Sequence, residues 1–244
     1  MANADGDGER AINRLLEALP RTIQRRLEAR LEQTELLPGS TLHRTGTPIR
    51  RIYFINRGFV SVMKSMQDGR SVEIGTYGNS DIIGVFRMFG IEKAIWDTVV
   101  RIRGTAYSVD PGVLRSEWDG NAAVRDIVER YTFYLLTSFA QNAACHRLHP
   151  LKKRMCRWLL TAQDNTGSET LPLTHESLAL SLGVQRSGAS LAASALQKAG
   201  AIHNGRGHIV VRDRDLLRAN ACECYEADRR NNERLFNPAR GPQS

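Results

Sequence analysis

Between residues 121 and 148 the chain runs without a glycine or a proline. Val124, Val128, Tyr131, Leu135, Ser138, Asn142 and Cys145 follow one another there at spacings of four and three. That interval predicts one long amphipathic helix, and it is the interval of a two-stranded coiled-coil seam. The same residues would also serve a helix packed on its own domain. A long helix between two unlike halves is a natural dimer axis, which favours the seam and a homodimer.

The half in front of this helix reads as β structure. Residues 10–33 first give an amphipathic helical stretch, with Ile12, Leu15, Leu16 and Leu19 followed by Ile23, Leu27 and Leu31, divided by Pro20. From residue 36 to 109 glycines punctuate short runs rich in β-branched and aromatic residues, at 51–55, 59–63, 71–74 and 98–102. Asp68-Gly69 is a strong hairpin signal. Short strands at near-regular spacing predict an antiparallel roll or jelly roll, and no long internal repeat points to a propeller or solenoid.

Behind the helix the texture is helical again. Pro150 stops the long helix and starts another over 151–164, and 165–168 form a turn cluster. Residues 173–202 then carry a helix–turn–helix pattern. Thr174 is a good N-cap, Leu178, Ala179 and Leu182 are apolar, and Gly183 sits where the turn needs left-handed backbone. A second helix runs from Gln185 to Lys198 with Ala189, Ala192, Ala193 and Leu196 inward. A strand–glycine–strand run from Ile202 supplies a wing. This predicts an α+β chain: a β-roll sensor domain over 10–118, a dimerisation helix over 119–149, a winged helix-turn-helix domain over 150–225 and a polar tail over 226–244.

A winged helix docks its second helix in the major groove, N-terminus first. The leading side chains are Gln185, Arg186, Ser187 and Ser190. Arginine pairs bidentately with guanine and glutamine with adenine, so Arg186 is the foremost candidate for a base contact, with a phosphate contact as the alternative. Thr174, His203, Arg206 and His208 are placed to meet phosphates. The formal net charge of +8 suits a double-stranded DNA partner.

With these residues in place, the chain resembles the Crp/Fnr family of bacterial transcription regulators over residues 36–225. The resemblance rests on Tyr53-Phe54, Gly58, Ser61, Asp68-Gly69, Glu73, Gly75 and Gly84, then on the text from Arg154 to Leu160, the 173–202 motif and the wing, in that order. It implies a cyclic-nucleotide-binding-type roll, a dimerisation helix and a DNA-reading domain, with RNA polymerase as a further partner. It also places an effector pocket at Gly84, Val85, Phe86, Asp97, Thr98 and Val99, closed by Leu135 and Phe139.

The departures bear on the effector. Cyclic-AMP-binding members carry a glutamate for the ribose and an arginine for the cyclic phosphate. Here Gly84-Val85 lacks the carboxylate, and Asp97 would repel the phosphate unless Arg101 or Arg103 takes over through a shifted alignment. Phe139-Ala140 stands where hydroxyl side chains would meet the base. An effector, if one is used, is therefore expected not to be cyclic AMP, and a purely structural roll is the alternative. In the second helix only the first arginine of the pattern Arg-Glu-x-x-x-Arg remains, in Arg186, so a different operator is expected.

Other functions find little support. Four cysteines, Cys145, Cys156, Cys222 and Cys224, all lie in the back half, which excludes the N-terminal cluster that iron–sulfur members need. Cys222 and Cys224 form C-x-C rather than the C-x-x-C of zinc and redox sites, and read as thiols on a terminal helix. His43, the only histidine before His146, reads as a surface residue, not a haem ligand, and one histidine cannot build a cupin-type metal centre. No catalytic residues, metal or cofactor are expected. No run approaches a membrane span of ~20 apolar residues, and the acidic, polar start lacks a signal-peptide pattern, so a cytoplasmic protein is expected. A regulatory module that docks on another protein is the remaining rival.

Overall fold

The computed structural model of the protein describes residues 13–237. Ile12 and the first residues of the expected N-terminal helix lie outside them. Asn13 caps α1 (Arg14–Ala18) by accepting from the Leu15 and Leu16 N–H groups, and Pro20 separates α1 from α2 (Arg21–Glu28). The helix ends at Glu28, short of residue 33, because β1 (Glu32–Leu36) already pairs with the front sheet. The buried Asn13 amide also donates to the carbonyls of Ile55 (2.8 Å) and Asp81 (2.9 Å), fixing α1 to the roll.

That roll comprises β1, β2 (Thr41–His43), β3 (Ile52–Ser65), β4 (Ser71–Tyr77), β5 (Ile82–Ile83) and β6 (Asp97–Val109). Its order is β1-β6-β3-β4, with β2 on β6 and β5 on β3, and every pairing is antiparallel. The runs at 51–55 and 59–63 join into one bent strand, β3. Its register against β6 shifts between Ile55 and Val60. Gly58 and Gly104 make that bend possible, since a Cβ on Gly104 would lie 1.8 Å from the Arg57 carbonyl oxygen. The Asp68-Gly69 turn closes the β3–β4 hairpin as expected.

After α3 (Pro111–Gly120), the N-cap Asn121 opens α4 (Ala122–Leu148), the long helix read from the sequence. The expected seam needs correction. Val124, Val128, Tyr131 and Leu135 are buried in the chain's own core, among Phe54, Ile55, Tyr77 and Ile82 of the roll. Ser138 and Asn142 continue this inward face and line a cleft in front of α5 (Leu151–Thr166). The outward stripe is different: Phe133 and Leu136 are 68% and 65% exposed, and Ala140, Ala143 and Arg147 extend it at spacings of three and four.

Tyr131 also holds a buried carboxylate. Its hydroxyl lies 3.1 Å from Asp81, whose other oxygen accepts from the Gly78 N–H at 2.6 Å. Burial outweighs both bonds and pushes the Asp81 pKa up to about 7. The native state therefore keeps a proton that the unfolded chain releases near pH 4. Asp81 thus contributes a loss of stability as pH rises from about 4 to about 7. Asp81→Asn keeps both hydrogen bonds and removes the titration. The expected result is a melting temperature that falls less over that window, measured by circular dichroism. An unchanged slope would place the titration elsewhere.

Behind Pro150, α5 leads to β7 (Thr170–Leu171), α6 (His175–Leu182), α7 (Arg186–Lys198), β8 (Ile202–Gly205), β9 (His208–Val211) and α8 (Arg214–Ala219). Met155, Leu159, Leu178, Ala193, Leu196, Ile209 and Leu217 form their core. The expected polar tail is also corrected. α9 (Cys224–Phe236) runs back along α4, buries Leu235, and takes a hydrogen bond from Arg130 to the Leu235 carbonyl (2.6 Å); residues 238–244 lie outside the described range.

The two halves meet directly. Phe59 and Trp158 stack edge to face at 5.0 Å, and the Trp158 indole donates to the buried Glu73 at 2.8 Å. Ser61 bonds the second Glu73 oxygen. Burial raises the Glu73 pKa against the pull of these bonds. Among the described residues, no helix is long and apolar enough to cross a membrane.

Candidate nucleic-acid interface and effector pocket

Local chemistry builds the helix–turn–helix. The Thr174 hydroxyl accepts from the Ser177 N–H at 3.0 Å while the Ser177 hydroxyl accepts from the Thr174 N–H at 3.0 Å, a reciprocal capping box. Gly183 adopts φ +64°, the left-handed backbone the turn demands. Gln185 is the N-cap of α7. Ala189, Ala193 and Leu196 face the core, so Gln185, Arg186, Ser187, Leu191 and Ser194 face outward.

Two residues here were not anticipated from the sequence. Leu191 is 75% exposed on the outward face of α7, where an apolar side chain suits a thymine methyl group. Its signal was an apolar residue on an otherwise polar face. His175 is the other. Its Nδ1 lies 3.0 Å from Ser190 Oγ and its Nε2 3.3 Å from Asn204 Oδ1, so it ties α6, α7 and the wing together. Ser190 is thus half-buried and engaged, unlike the free base reader expected. The Asn204 N–H donates to Gln197 (2.6 Å), which seats the wing on α7. His203 and Arg206 are exposed on that wing, while His208 is half-buried and folds back towards the Arg206 carbonyl (3.3 Å).

Three aromatic rings meet at the expected effector pocket. Phe86, Trp96 and Phe139 stack edge to face in series, with centroids 5.1 Å apart at each step. Gly75 admits the last ring, since a Cβ there would lie 2.3 Å from it. Val85 and Leu135 are buried in the roll core. Thr98 is buried and accepts from the His43 N–H (2.9 Å), while Asp97 accepts from the Thr45 N–H (2.6 Å). Gly84 (φ +89°) starts a short 3-10 turn, Val85–Phe89, and Val99 pairs with β2 and β3. Val85, Thr98 and Leu135 are thus buried, while Phe86, Asp97, Val99 and Phe139 are half-buried. Arg101 is turned to Ser61 (2.9 Å), and Arg103 pairs with Glu35 (3.0 Å).

The cleft of about 600 Å³ lies elsewhere, between β4, α4, α5 and α9, with Ser138, Asn142, His146, Arg157 and Asp228 on its walls. Arg157 pairs with Asp228 at 2.6 Å across it. His43 also departs from expectation. It is buried, its Nε2–H donates to the Arg51 carbonyl (2.8 Å), and burial lowers its pKa. The C-x-C cysteines do not stand alone either: Cys222 and Cys224 meet Cys145 and His149 at the end of α4. The overlooked signal is the i, i+4 spacing of Cys145 and His149.

Comparison with known proteins agrees with this architecture. Residues 33–120 match the cyclic nucleotide-binding domain and residues 153–220 the Crp-like helix-turn-helix domain. None of the curated proteins matches the chain. Among solved structures, FixK2 from Bradyrhizobium japonicum is similar at TM-score 0.64 and 17% identity, over 79% of this chain and 98% of its own. A CRP-family transcriptional regulator from Thermus thermophilus gives TM-score 0.65 and 18% identity, over 77% and 96%. CLP, a c-di-GMP responsive global regulator from Xanthomonas campestris, gives 0.59 and 16%, over 79% and 99%. With a cyclic nucleotide-binding domain and a Crp-like helix-turn-helix domain matched in that order on either side of the long helix, this chain belongs to the Crp/Fnr family of transcription regulators.

Proposed function

We propose that the protein is a homodimeric regulator that reads an inverted-repeat DNA operator without a cyclic nucleotide. The exposed face of α7 carries this reading: Gln185, Arg186, Ser187 and Leu191 stand free of the core, with Arg206 beside them on the wing. Arg186 reads a base edge, and Arg206, His203 and Thr174 meet the phosphate backbone.

The dimer forms through the outward stripe of α4. Phe133, Leu136, Ala140 and Ala143 recur at heptad spacing, and the alanines let two helices approach closely. The missing carboxylate at Gly84-Val85 and the acidic Asp97 support a mode without a cyclic nucleotide, since the one leaves the ribose ungripped and the other repels a phosphate.

Selection of bound duplexes from a random DNA pool, with the purified protein and no added ligand, tests the proposal. The expected product is an inverted repeat with half-sites about one helical turn, ~34–36 Å, apart. Enrichment only after a cyclic nucleotide is added would overturn the ligand-free reading. No enrichment under either condition would overturn DNA reading itself.

A further inference from the structure

We propose that Cys145, His149, Cys222 and Cys224 form a tetrahedral site for one zinc ion, joining the end of α4 to the start of α9. Their four ligand atoms all lie within 4.8 Å of one another. Cys145 Sγ is 3.5 Å from Cys222 Sγ, and Cys224 Sγ is 3.5 Å from His149 Nδ1. A zinc ion with bonds of about 2.3 Å to sulfur and about 2.0–2.1 Å to nitrogen sets tetrahedral edges of roughly 3.5–3.8 Å. Two edges are therefore already at coordination length, and small side-chain rotations close the rest.

The surroundings are those of a ligand set rather than of packed thiols. The three cysteines are buried together and make a small cluster of their own, apart from both main cores. His149 turns Nδ1 towards the sulfurs, and its Nε2 lies 3.1 Å from a Glu223 oxygen. A carboxylate on the far nitrogen fixes the tautomer and orientation of a metal-binding imidazole. The Gln141 amide donates to Cys224 Sγ at 2.9 Å. Arg157 lies beside the Cys145 sulfur.

Charge and ligand type both select the ion. Three thiolates and a neutral imidazole around a divalent cation leave one net negative charge, which faces Arg157. Each thiol that becomes a ligand releases its proton to solvent, so binding strengthens as pH rises. Mixed sulfur and nitrogen donors in a tetrahedron favour zinc over hard cations such as magnesium or calcium. A disulfide explains less, because the 3.5 Å Cys145–Cys222 separation leaves Cys224, His149 and Glu223 without a role. Four ligands with no opening for substrate describe a structural ion.

Position gives the ion its use. Cys145 and His149 flank the last turn of α4 just before Pro150, where the chain enters the DNA-binding half. Cys222 and Cys224 lie where the chain leaves it, after α8. Zinc would clamp entry and exit together and hold that half in one pose against α4. This site is separate from the α7 face, so its test does not depend on DNA reading.

The full-length chain, purified under reductant, is loaded with zinc, dialysed against buffer, and analysed for metal. One zinc per chain is expected. Replacing zinc by Co2+ should give the strong visible bands of a tetrahedral ion and thiolate-to-metal charge transfer. Cys224→Ser should abolish retention, whereas Cys156→Ser, a cysteine in the DNA-binding core, should leave it intact. Because Cys224→Ser also disturbs a buried cluster, Glu223→Gln at the exposed carboxylate is the second variant. It should fold normally and bind zinc about 10–100-fold more weakly. A reduced wild-type chain that retains no zinc and gives octahedral-type Co2+ spectra would overturn the proposal. So would equal zinc retention by wild type and Cys224→Ser, or formation of a Cys145–Cys222 disulfide at an undiminished rate in the presence of zinc.

Discussion

Leu136→Asp should yield a folded monomer, whereas the same substitution one residue earlier, Leu135→Asp, should yield a chain that does not fold. Leu135 is 2% exposed and sits in the roll core with Val128 and Tyr131. A carboxylate there loses the burial of a leucine and gains an unpaired charge, a combination that costs more than about 4 kcal/mol. That is a large fraction of the roughly 5–15 kcal/mol by which an ordinary domain is stable. Leu136 is 65% exposed on the outward stripe with Phe133, so the monomer should lose no more than about 0.5 kcal/mol. A stripe of carboxylates facing its own copy repels. Sedimentation velocity should show a monomer with the circular dichroism of the native fold. Operator affinity should fall roughly 10²–10⁴-fold, because the two half-sites are no longer linked. A Leu136→Asp protein that stays dimeric would move the dimer contact off this face of α4.

Arg186→Ala should weaken operator binding by about 1–3 kcal/mol, roughly 5–150-fold, and relax preference at a single base pair of each half-site. Arg186 opens α7 and is exposed beside Gln185 and Ser187. Arg206→Ala on the wing provides the contrast. It should weaken binding to all sequences alike and reduce the slope of log affinity on log salt by about one. Titrations against the selected operator and single-base variants of it, at several salt concentrations, separate the two effects. If Arg186→Ala changed only the salt slope, Arg186 would hold a phosphate, and base reading would pass to Gln185 and Leu191.

Much of this fold was legible because its signals are local. The span of α4, the Asp68-Gly69 hairpin, the Gly183 turn and the β8–β9 wing each rest on a few neighbouring residues with a definite backbone preference. The seam was misplaced for a physical reason. Both faces of α4 repeat at intervals of three and four, and periodicity identifies a helix without saying which face meets which partner. Val124, Val128, Tyr131 and Leu135 form the more apolar face, and the roll takes it. The effector pocket was legible only in part, for a different reason. Family resemblance located the backbone positions, but that Trp96 stacks between Phe86 and Phe139 follows only from the fold. Likewise nothing near Cys222 in sequence announces Cys145, and residues 226–237 look polar although α9 spends its few apolar groups on α4 and the roll.

The Glu73–Trp158 contact has a thermodynamic consequence. Glu73 belongs to the roll and Trp158 to the DNA-binding half, and each buries a polar group that the other satisfies. Separating the halves would break the Glu73–Trp158 bond and bare the Phe59–Trp158 stack to water. Neither half can melt without exposing the other's interior, so heating should drive one cooperative transition rather than two. A fragment cut at Pro150 would inherit half of that interface as a sticky apolar surface.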